Sequence, residues 1–194
     1  MALSFLNQNN LPRGLRNNNP GNLIYTNIPW QGKISYANNT DWSGSPNNIV
    51  KHFEQFTNIR YGIRAMAMDM LNDITENSYT LSQLIYEYAP PAENNTTAYI
   101  QFVSNATGLA PNAVVPVNIN VLVALVRSMI NMENGTSAGE QIPDAEIING
   151  IQMLPQVWLA QLGDFVKENK RSIMGALLTA GAVYGVYRYA KSMA

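Results

Sequence analysis

Glu133 is a carboxylate at a position where a helix would ordinarily carry a hydrophobic residue or a cation. It ends the nearly uncharged segment 121–133, VLVALVRSMINME, and is followed by Asn134 and Gly135. At about 100° per residue, Glu133 falls on the same face as the apolar stripe of this predicted helix. The stripe consists of Leu122, Val126, Met129 and Ile130. The carboxylate is therefore predicted to face the core, with Asn134-Gly135 providing a left-handed exit from the helix.

Burial and the negative end of the helix both disfavour the charged form of Glu133. We therefore predict a raised pKa, with desolvation as the first cause and the helix end as the second. A carboxyl group that stays protonated near neutral pH can protonate a glycosidic oxygen. The helix pattern by itself favours a plainer interpretation, in which a partly exposed Glu133 pairs with Arg127 or with a backbone N–H.

Composition excludes several classes of function. The 194-residue chain is 46% hydrophobic, which suits one domain with an appendage. It has 12 basic and 13 acidic residues, so nucleic-acid binding is not expected. There is no cysteine, and His52 is the single histidine, so we expect no disulfide, thiol nucleophile, metal site or cofactor. The N-terminus lacks the pattern of a cleaved signal peptide, which predicts synthesis and retention in the cytoplasm at first.

Residues 13–153 are predicted to form an α+β domain that is mainly helical. Apolar spacing predicts an amphipathic helix from Ile59 to Leu71, and Thr80 with Gln83 forms a capping-box pattern that opens another. Thr96 or Thr97 is predicted to cap the next helix, and Asn118 or Asn120 the helix that ends at Glu133. Residues 48–56 are predicted to form a short strand, within a region dense in Asn, Gly and Pro.

The C-terminal part of the chain has a different character. Residues 173–187 carry no charge and have Lys or Arg on both sides, so we predict a C-terminal transmembrane helix over residues 173–190. The alternative is a small-residue helix packed in a core or against a partner. Residues 154–172 are predicted to be an amphipathic connector on a membrane or on the domain, and residues 1–12 an N-terminal tail.

Several collinear motifs within residues 13–151 resemble one family as a set. They are RGLRNNNPGNL at 13–23, WQG at 30–32, FEQF at 53–56, YGIRA at 61–65, YAPPAENNTTAYIQFV at 88–103 and MENG at 132–135. The set resembles phage-encoded, lysozyme-like peptidoglycan-degrading and virion proteins that carry an R-G-x-R-N-N-N-P-G-N signature. Related proteins often have His where this chain has Met132, so acid–base help from that position is absent here.

A second resemblance implies the role of Glu133. The segment ALVRSMINMENG is similar to the helix of soluble lytic transglycosylases that ends at their catalytic Glu. Those enzymes place an Asn-rich turn after that Glu, whereas here the Asn-rich turn precedes it. One explanation is a circularly permuted lysozyme-like domain in which Glu133 returns to face Asn18 and Asn19. The resemblance then implies that substrate is bound by Asn18, Asn19, Trp30, Tyr88 and Tyr99.

Other candidates have plainer explanations. Glu54 and His52 would share one face of a strand, which is more typical of a solvated face than of a catalytic pair. Glu93 lies in a loop before a helix, and Trp42 could stack on a sugar or belong to the core. Arg60 and Arg64, one helical turn apart, are expected to hold the fold together.

The resemblance implies an enzyme that cleaves the MurNAc–GlcNAc bond of peptidoglycan, with Glu133 as general acid and then base. No second carboxylate stands at a motif position, which favours the lytic transglycosylase route over a hydrolytic lysozyme. A membrane anchor would fit a virion protein in a phage's internal membrane, acting on the host envelope during genome entry. Its partners would be peptidoglycan strands, membrane lipid and other virion proteins through Gly181 and Gly185. The alternatives are a structural virion protein with an inactive or peptidoglycan-binding domain, and a host-side muramidase.

Overall fold

The computed structural model describes residues 2–41, 53–92 and 94–162 of the chain. Within these ranges the chain forms α-helices, one 3-10 turn and connecting loops. The helices are α1 (Arg13–Arg16), α2 (Ile59–Asn77), α3 (Leu81–Tyr88), α4 (Thr96–Thr107), α5 (Ile119–Asn134), α6 (Thr136–Gly139), α7 (Asp144–Gln152) and α8 (Gln156–Gln161), and the 3-10 turn is Tyr36–Asn38.

Helix α2 crosses the centre of the molecule and packs against α5 and α7. It begins where the Asn58 side chain accepts a hydrogen bond from the N–H of Arg60, and it ends at Ser78, which has φ 51°. The apolar spacing predicted its buried face correctly. That face comprises Ile59, Ile63, Met66, Ala67, Met70 and Leu71.

The predicted helix starts are confirmed at two of three positions. Thr80 and Gln83 form the capping box of α3. Asn118 caps α5 by accepting from the N–H of Val121. Helix α4 differs, since Asn95 caps it by accepting from the N–H of Ala98. Thr96 is buried instead, and its hydroxyl donates to the carbonyl of Ala89 at 2.6 Å.

The α+β class is wrong, because the described residues are helical and contain no strand. Where a strand was expected, Phe53 and Phe56 make only isolated antiparallel bridges, to Ile24 and Lys33. Two successive bridges without a continuous ladder do not build a sheet. The partner segment 21–34 contains two glycines and a proline, which limit regular pairing there. Residues 42–52 lie outside the described ranges.

The other half of the fold prediction, a C-terminal transmembrane helix, has no counterpart among the described residues. In the part of the chain that the structure describes, no helix is long and apolar enough to cross a membrane. The 19-residue α2 carries two arginines and three carboxylates, and the 16-residue α5 is shorter than the roughly 20 residues needed to span a bilayer. The predicted segment 173–190, with Gly181 and Gly185, lies outside the described residues.

The main core includes residues from both ends of the described chain. Phe5, before α1, is buried at 7% exposure, and Leu154, Leu159 and Leu162 around α8 are also buried. The first residues of the chain and the beginning of the predicted connector therefore pack on the same core as α2 and α5.

Candidate functional site

Helix α5 carries Glu133 in its last turn, one residue before its C-terminus. The apolar stripe predicted for this helix is buried, with Leu122, Val126, Met129 and Ile130 each at most 2% exposed. Glu133 continues this face and is half-buried. Gly135 follows with φ 78°, a conformation that glycine adopts without strain, and turns the chain out of the helix.

Two side chains from other parts of the chain donate hydrogen bonds to the carboxyl group of Glu133. The Asn22 side-chain N–H donates to Oε2 at 2.9 Å, and the Tyr99 hydroxyl donates to Oε1 at 3.0 Å. Asn22 belongs to the turn after α1, at φ 51°, and Tyr99 belongs to α4. Both oxygens of the carboxyl group are thus positioned by partners 111 and 34 residues away in sequence.

The turn that carries Asn22 is attached directly to the end of α5. The Asn134 side-chain N–H donates to the carbonyl of Pro20 at 2.7 Å and to that of Ile130 at 2.9 Å. Gly14 allows this approach, because a Cβ added there would lie 2.2 Å from the Asn134 Oδ1. The Asn-rich turn and the end of α5 therefore meet.

The pKa of Glu133 is raised, and the main cause is burial. Three groups oppose this by stabilising the charged form. They are the hydrogen bonds from Asn22 and from Tyr99, followed by the positive charge of Arg13. The direction of the shift and its first cause agree with the prediction from the sequence.

Two tyrosines enclose the carboxyl group. Burial, followed by the charge of Glu133, raises the pKa of both Tyr88 and Tyr99 well above the usual value, so both hydroxyls stay protonated. Tyr88 donates its hydroxyl to the carbonyl of Gly21. Asp69 acts on Tyr88 as a further negative charge, and burial raises its own pKa to about 6, with help from nearby carboxylates.

Arg13 places a cation next to this carboxyl group. Its guanidinium lies over the ring of Phe53, 3.5 Å from the ring centroid, and its Nε is buried without a hydrogen-bond partner among the described residues. Burial lowers the pKa of Arg13, while the negative charges of Asp41 and Glu133 raise it. Arg13 therefore interacts with both of these carboxylates.

The structure separates four of the five predicted substrate-binding residues into two groups. Tyr99 donates a hydrogen bond directly to Glu133. The charge of Glu133 also acts on Tyr88, whose hydroxyl donates to the carbonyl of Gly21. Asn18 and Asn19 are fully buried and satisfied by other groups, since Asn18 bonds to the Phe5 N–H and the Phe56 carbonyl and Asn19 to both backbone groups of Leu23. Their side chains hold the turn in place and are not free to bind a ligand.

Trp30 is half-buried, and its indole N–H has no hydrogen-bond partner in the described structure. Among the other candidates, His52, Glu93 and Trp42 lie outside the described residues. Glu54 is fully buried rather than solvated. It accepts from the Thr26 N–H and from the Lys33 ammonium, each at 2.9 Å.

Arg60 and Arg64 hold the fold together, as expected. Arg60 pairs with Glu146 through two hydrogen bonds of 2.7 and 2.8 Å, and Arg64 donates to the carbonyl of Met153 at 2.8 Å. In the described residues, no group of three or more His, Asp and Glu side chains could hold a metal ion.

Sequence reasoning missed Asn22 and Arg13. Asn22 lies in the same motif as Asn18 and Asn19, and the available signal was its place after the Pro20-Gly21 turn, where an asparagine easily adopts positive φ. Arg13 opens the same motif. Its proximity to Glu133 depends on the packing of α1 against α5, which no local pattern contains.

Comparison with known proteins identifies a relative of this chain in a bacteriophage. No family model matches the chain. Over 131 residues, the chain is 33% identical to protein P5 of Pseudoalteromonas phage PM2, and this match covers 66% of this chain and 75% of the relative. The chain belongs to the protein P5 family.

This result confirms the phage part of the resemblance. The matched relative comes from a bacteriophage, and its name specifies neither an activity nor a substrate. The finer assignment, to lysozyme-like enzymes, does not follow from the P5 family relationship.

Proposed function

We propose that this member of the P5 family cleaves the MurNAc–GlcNAc bond of peptidoglycan, with Glu133 as general acid and then as general base. The observation that supports this most directly is the environment of one carboxyl group. Glu133 is half-buried with a raised pKa, and two donors from separate segments fix both of its oxygens. An acid that is to protonate a glycosidic oxygen near neutral pH needs this combination of rigidity and desolvation.

In the first step, protonated Glu133 gives its proton to the glycosidic oxygen while the bond from that oxygen to C1 of the MurNAc unit breaks. Glu133 is then a carboxylate, which the N–H of Asn22 and the hydroxyl of Tyr99 stabilise. The nearby positive charge of Arg13 acts in the same direction. In the second step, the carboxylate removes the proton from the 6-hydroxyl of the MurNAc unit, whose oxygen bonds to C1 and forms a 1,6-anhydro ring.

The transglycosylase route is favoured over hydrolysis because, within the described ranges, no second carboxylate is among the side chains that bond to the Glu133 carboxyl group or the groups that shift its pKa. Asp69, whose charge acts on Tyr88, has no hydrogen bond to the Glu133 group, and Glu54 is paired with Lys33. A retaining lysozyme would need a second carboxylate about 5 Å from the acid. Membership of a phage family supports a place for this activity in the virion, during genome entry into the host cell.

The test is mass spectrometry of the products released from purified peptidoglycan by the full-length protein. Anhydro-muropeptides are expected. Muropeptides with reducing ends would show hydrolysis instead of the transglycosylase reaction. The absence of any product at several pH values would contradict the proposed enzymatic activity.

A structural role in the virion is the second candidate, and one observation favours it. Both oxygens of Glu133 already accept hydrogen bonds, so the carboxyl group also fits a static network that joins the Asn-rich turn, α4 and α5. Under this alternative, no product forms, and changes in the network alter only stability.

Replacing Tyr99 with phenylalanine separates these alternatives through the pH dependence of activity. The Tyr99 hydrogen bond lowers the pKa of Glu133, so its loss raises that pKa further. Activity that requires a protonated Glu133 falls as pH rises through this pKa. The high-pH limb of the rate profile should therefore move upward, by a few tenths of a unit to about one unit.

Tyr86→Phe is the matched control, because Tyr86 is 55% exposed on α3. Its profile should coincide with that of the wild type. A Tyr99→Phe profile that only loses height, with both limbs in place, would contradict the assignment of Glu133 as the acid.

A further inference from the structure

A polar cavity of about 260 Å³ lies beside α1, separate from the carboxyl group of Glu133. Its lining among the described residues is entirely polar. Asn17, Asp41 and Gln55 form the buried inner part of this cavity, the exposed Thr40 lies beside them, and three residues from the beginning of the chain and from α1 form its rim. A cavity lined by polar side chains is suited to a hydrophilic group that brings its own hydrogen-bonding atoms.

The inner part is rigid because its side chains bond to one another. Asn17 donates to Asp41 Oδ2 at 2.7 Å and accepts from the Gln55 side-chain N–H at 2.9 Å. Gln55 Oε1 in turn accepts from the Thr40 N–H at 2.8 Å. Asn17, Asp41 and Gln55 are each at most 5% exposed, so this network is fixed before any ligand arrives.

The rim supplies donors and a cation. Asn7, Asn9 and Arg16 form it, and Asn7 Oδ1 already accepts from the Thr40 hydroxyl at 2.7 Å. Arg16 makes one long hydrogen bond, from Nη1 to the carbonyl of Leu11 at 3.4 Å, and no described carboxylate is within ion-pair distance of it. This distinguishes Arg16 from Arg60 and Arg127, which pair with Glu146 and Asp144.

Among the described residues that line the cavity, Arg16 carries a positive charge and Asp41 a negative charge. Arg13 interacts with both Asp41 and Arg16, so these three charged groups lie together. Arg13 also interacts with Glu133, so the two guanidinium groups and the two carboxylates balance in charge, and Arg16 is the guanidinium that lines the cavity. Asp41 is held by Asn17, which leaves the N–H groups of Arg16 and the side-chain amide of Asn9 as the donors for a ligand.

We infer that this cavity binds a carboxylate of the peptide stem of peptidoglycan, with Arg16 as the cation that recognises it. The inference rests on the proposed function, which supplies the substrate. Both the cavity and the end of α5 lie against α1, since Arg16 lines the cavity and Gly14 approaches the side chain of Asn134. A strand cleaved at Glu133 would thus carry its stem toward Arg16.

The test is calorimetric titration of the full-length protein with three probes. They are a stem peptide with free carboxylates, the same peptide with its carboxylates amidated, and chitotetraose, which has no carboxylate. The free peptide should bind at least about ten-fold more tightly than the amidated one, because a charge-assisted hydrogen bond is lost on amidation. Arg16→Gln should reduce binding of the free peptide by a similar factor.

Arg64→Gln is the matched control, since it removes the same charge from a residue that bonds to a backbone carbonyl elsewhere. It should leave peptide binding unchanged. The inference would be overturned if the two peptides bind equally tightly, or if Arg16→Gln binds the free peptide as tightly as the wild type does. It would also be overturned if inorganic phosphate competes for the cavity as well as the free peptide does. If Arg16→Gln unfolds, the comparison of the two peptides on the wild type still decides.

Failure of the proposed function is distinguishable from failure of this inference. If peptide binding depends on Arg16 but peptidoglycan yields no product, the proposed activity is rejected and the assignment of the cavity as a peptide site stands. If anhydro products form but peptide binding does not change when Arg16 is replaced, the proposed activity stands and the assignment of the cavity is rejected.

Discussion

Glu133→Gln is expected to reduce the release of muropeptides from purified peptidoglycan by at least about 100-fold, because a positioned general acid contributes at least this factor. Glutamine keeps the shape of the side chain and cannot transfer the proton. Its carbonyl oxygen can still accept from the Asn22 N–H. The Tyr99 hydroxyl can rotate to accept from the new amide N–H, so the local network survives.

The same substitution should not destabilise the fold near neutral pH. The folded-state pKa of Glu133 lies above its unfolded value, so ionisation of this group disfavours the folded state. The wild type therefore loses stability as pH rises from the unfolded value of about 4.5 through the raised value. The amide of the Glu133→Gln variant does not ionise, so urea denaturation near neutral pH should show equal or slightly greater stability for the variant.

Glu76→Gln is the control for the loss of one negative charge, since Glu76 is exposed near the end of α2. Its activity should match that of the wild type. A Glu133→Gln protein that is folded and retains more than about a tenth of the activity would remove Glu133 from the reaction.

Gly62→Ala is expected to destabilise the protein by about 2 to 3 kcal/mol, the usual range for overpacking a core. Gly62 is the fourth residue of α2, and alanine within a helix normally gains up to about 1 kcal/mol over glycine, so helix propensity predicts the opposite sign. In this fold, an added Cβ would lie 1.9 Å from the backbone carbonyl oxygen of Asn18 and 2.9 Å from the ring of Pro20. The backbone of the Asn-rich turn would have to move, and Asn22 with it.

The measurement is the free energy of unfolding, from urea titration followed by circular dichroism. Gly139→Ala is the matched control, because its added Cβ meets a side-chain atom, Asn131 Oδ1 at 2.3 Å, before any backbone atom. Its loss should be smaller. A Gly62→Ala protein as stable as the wild type would show that the turn is not seated on α2 in this way.

Local patterns predicted the helices better than the region that joins them. The Thr80–Gln83 box and the Asn118 cap were readable, since each depends on residues at most three apart. The strand prediction failed because β-pairing needs a partner segment, and here the partner supports only single bridges. Glu133 and Tyr99, both candidates from the sequence, meet in the fold, and Asn22 rather than Asn18 or Asn19 contacts the carboxyl group.

The sequence by itself determined that an acidic residue would end an apolar helix, and that its burial would raise its pKa. The periodicity of α5 and its glycine exit are local properties. Only the tertiary structure decided which groups meet that carboxyl group. Asn18, Asn19 and Asn22 are the same residue type within one turn, and the backbone conformation of that turn directs the first two inward and Asn22 toward Glu133. Long-range packing of α1 and α4 on α5 then adds Arg13 and Tyr99, which no spacing along the chain could specify.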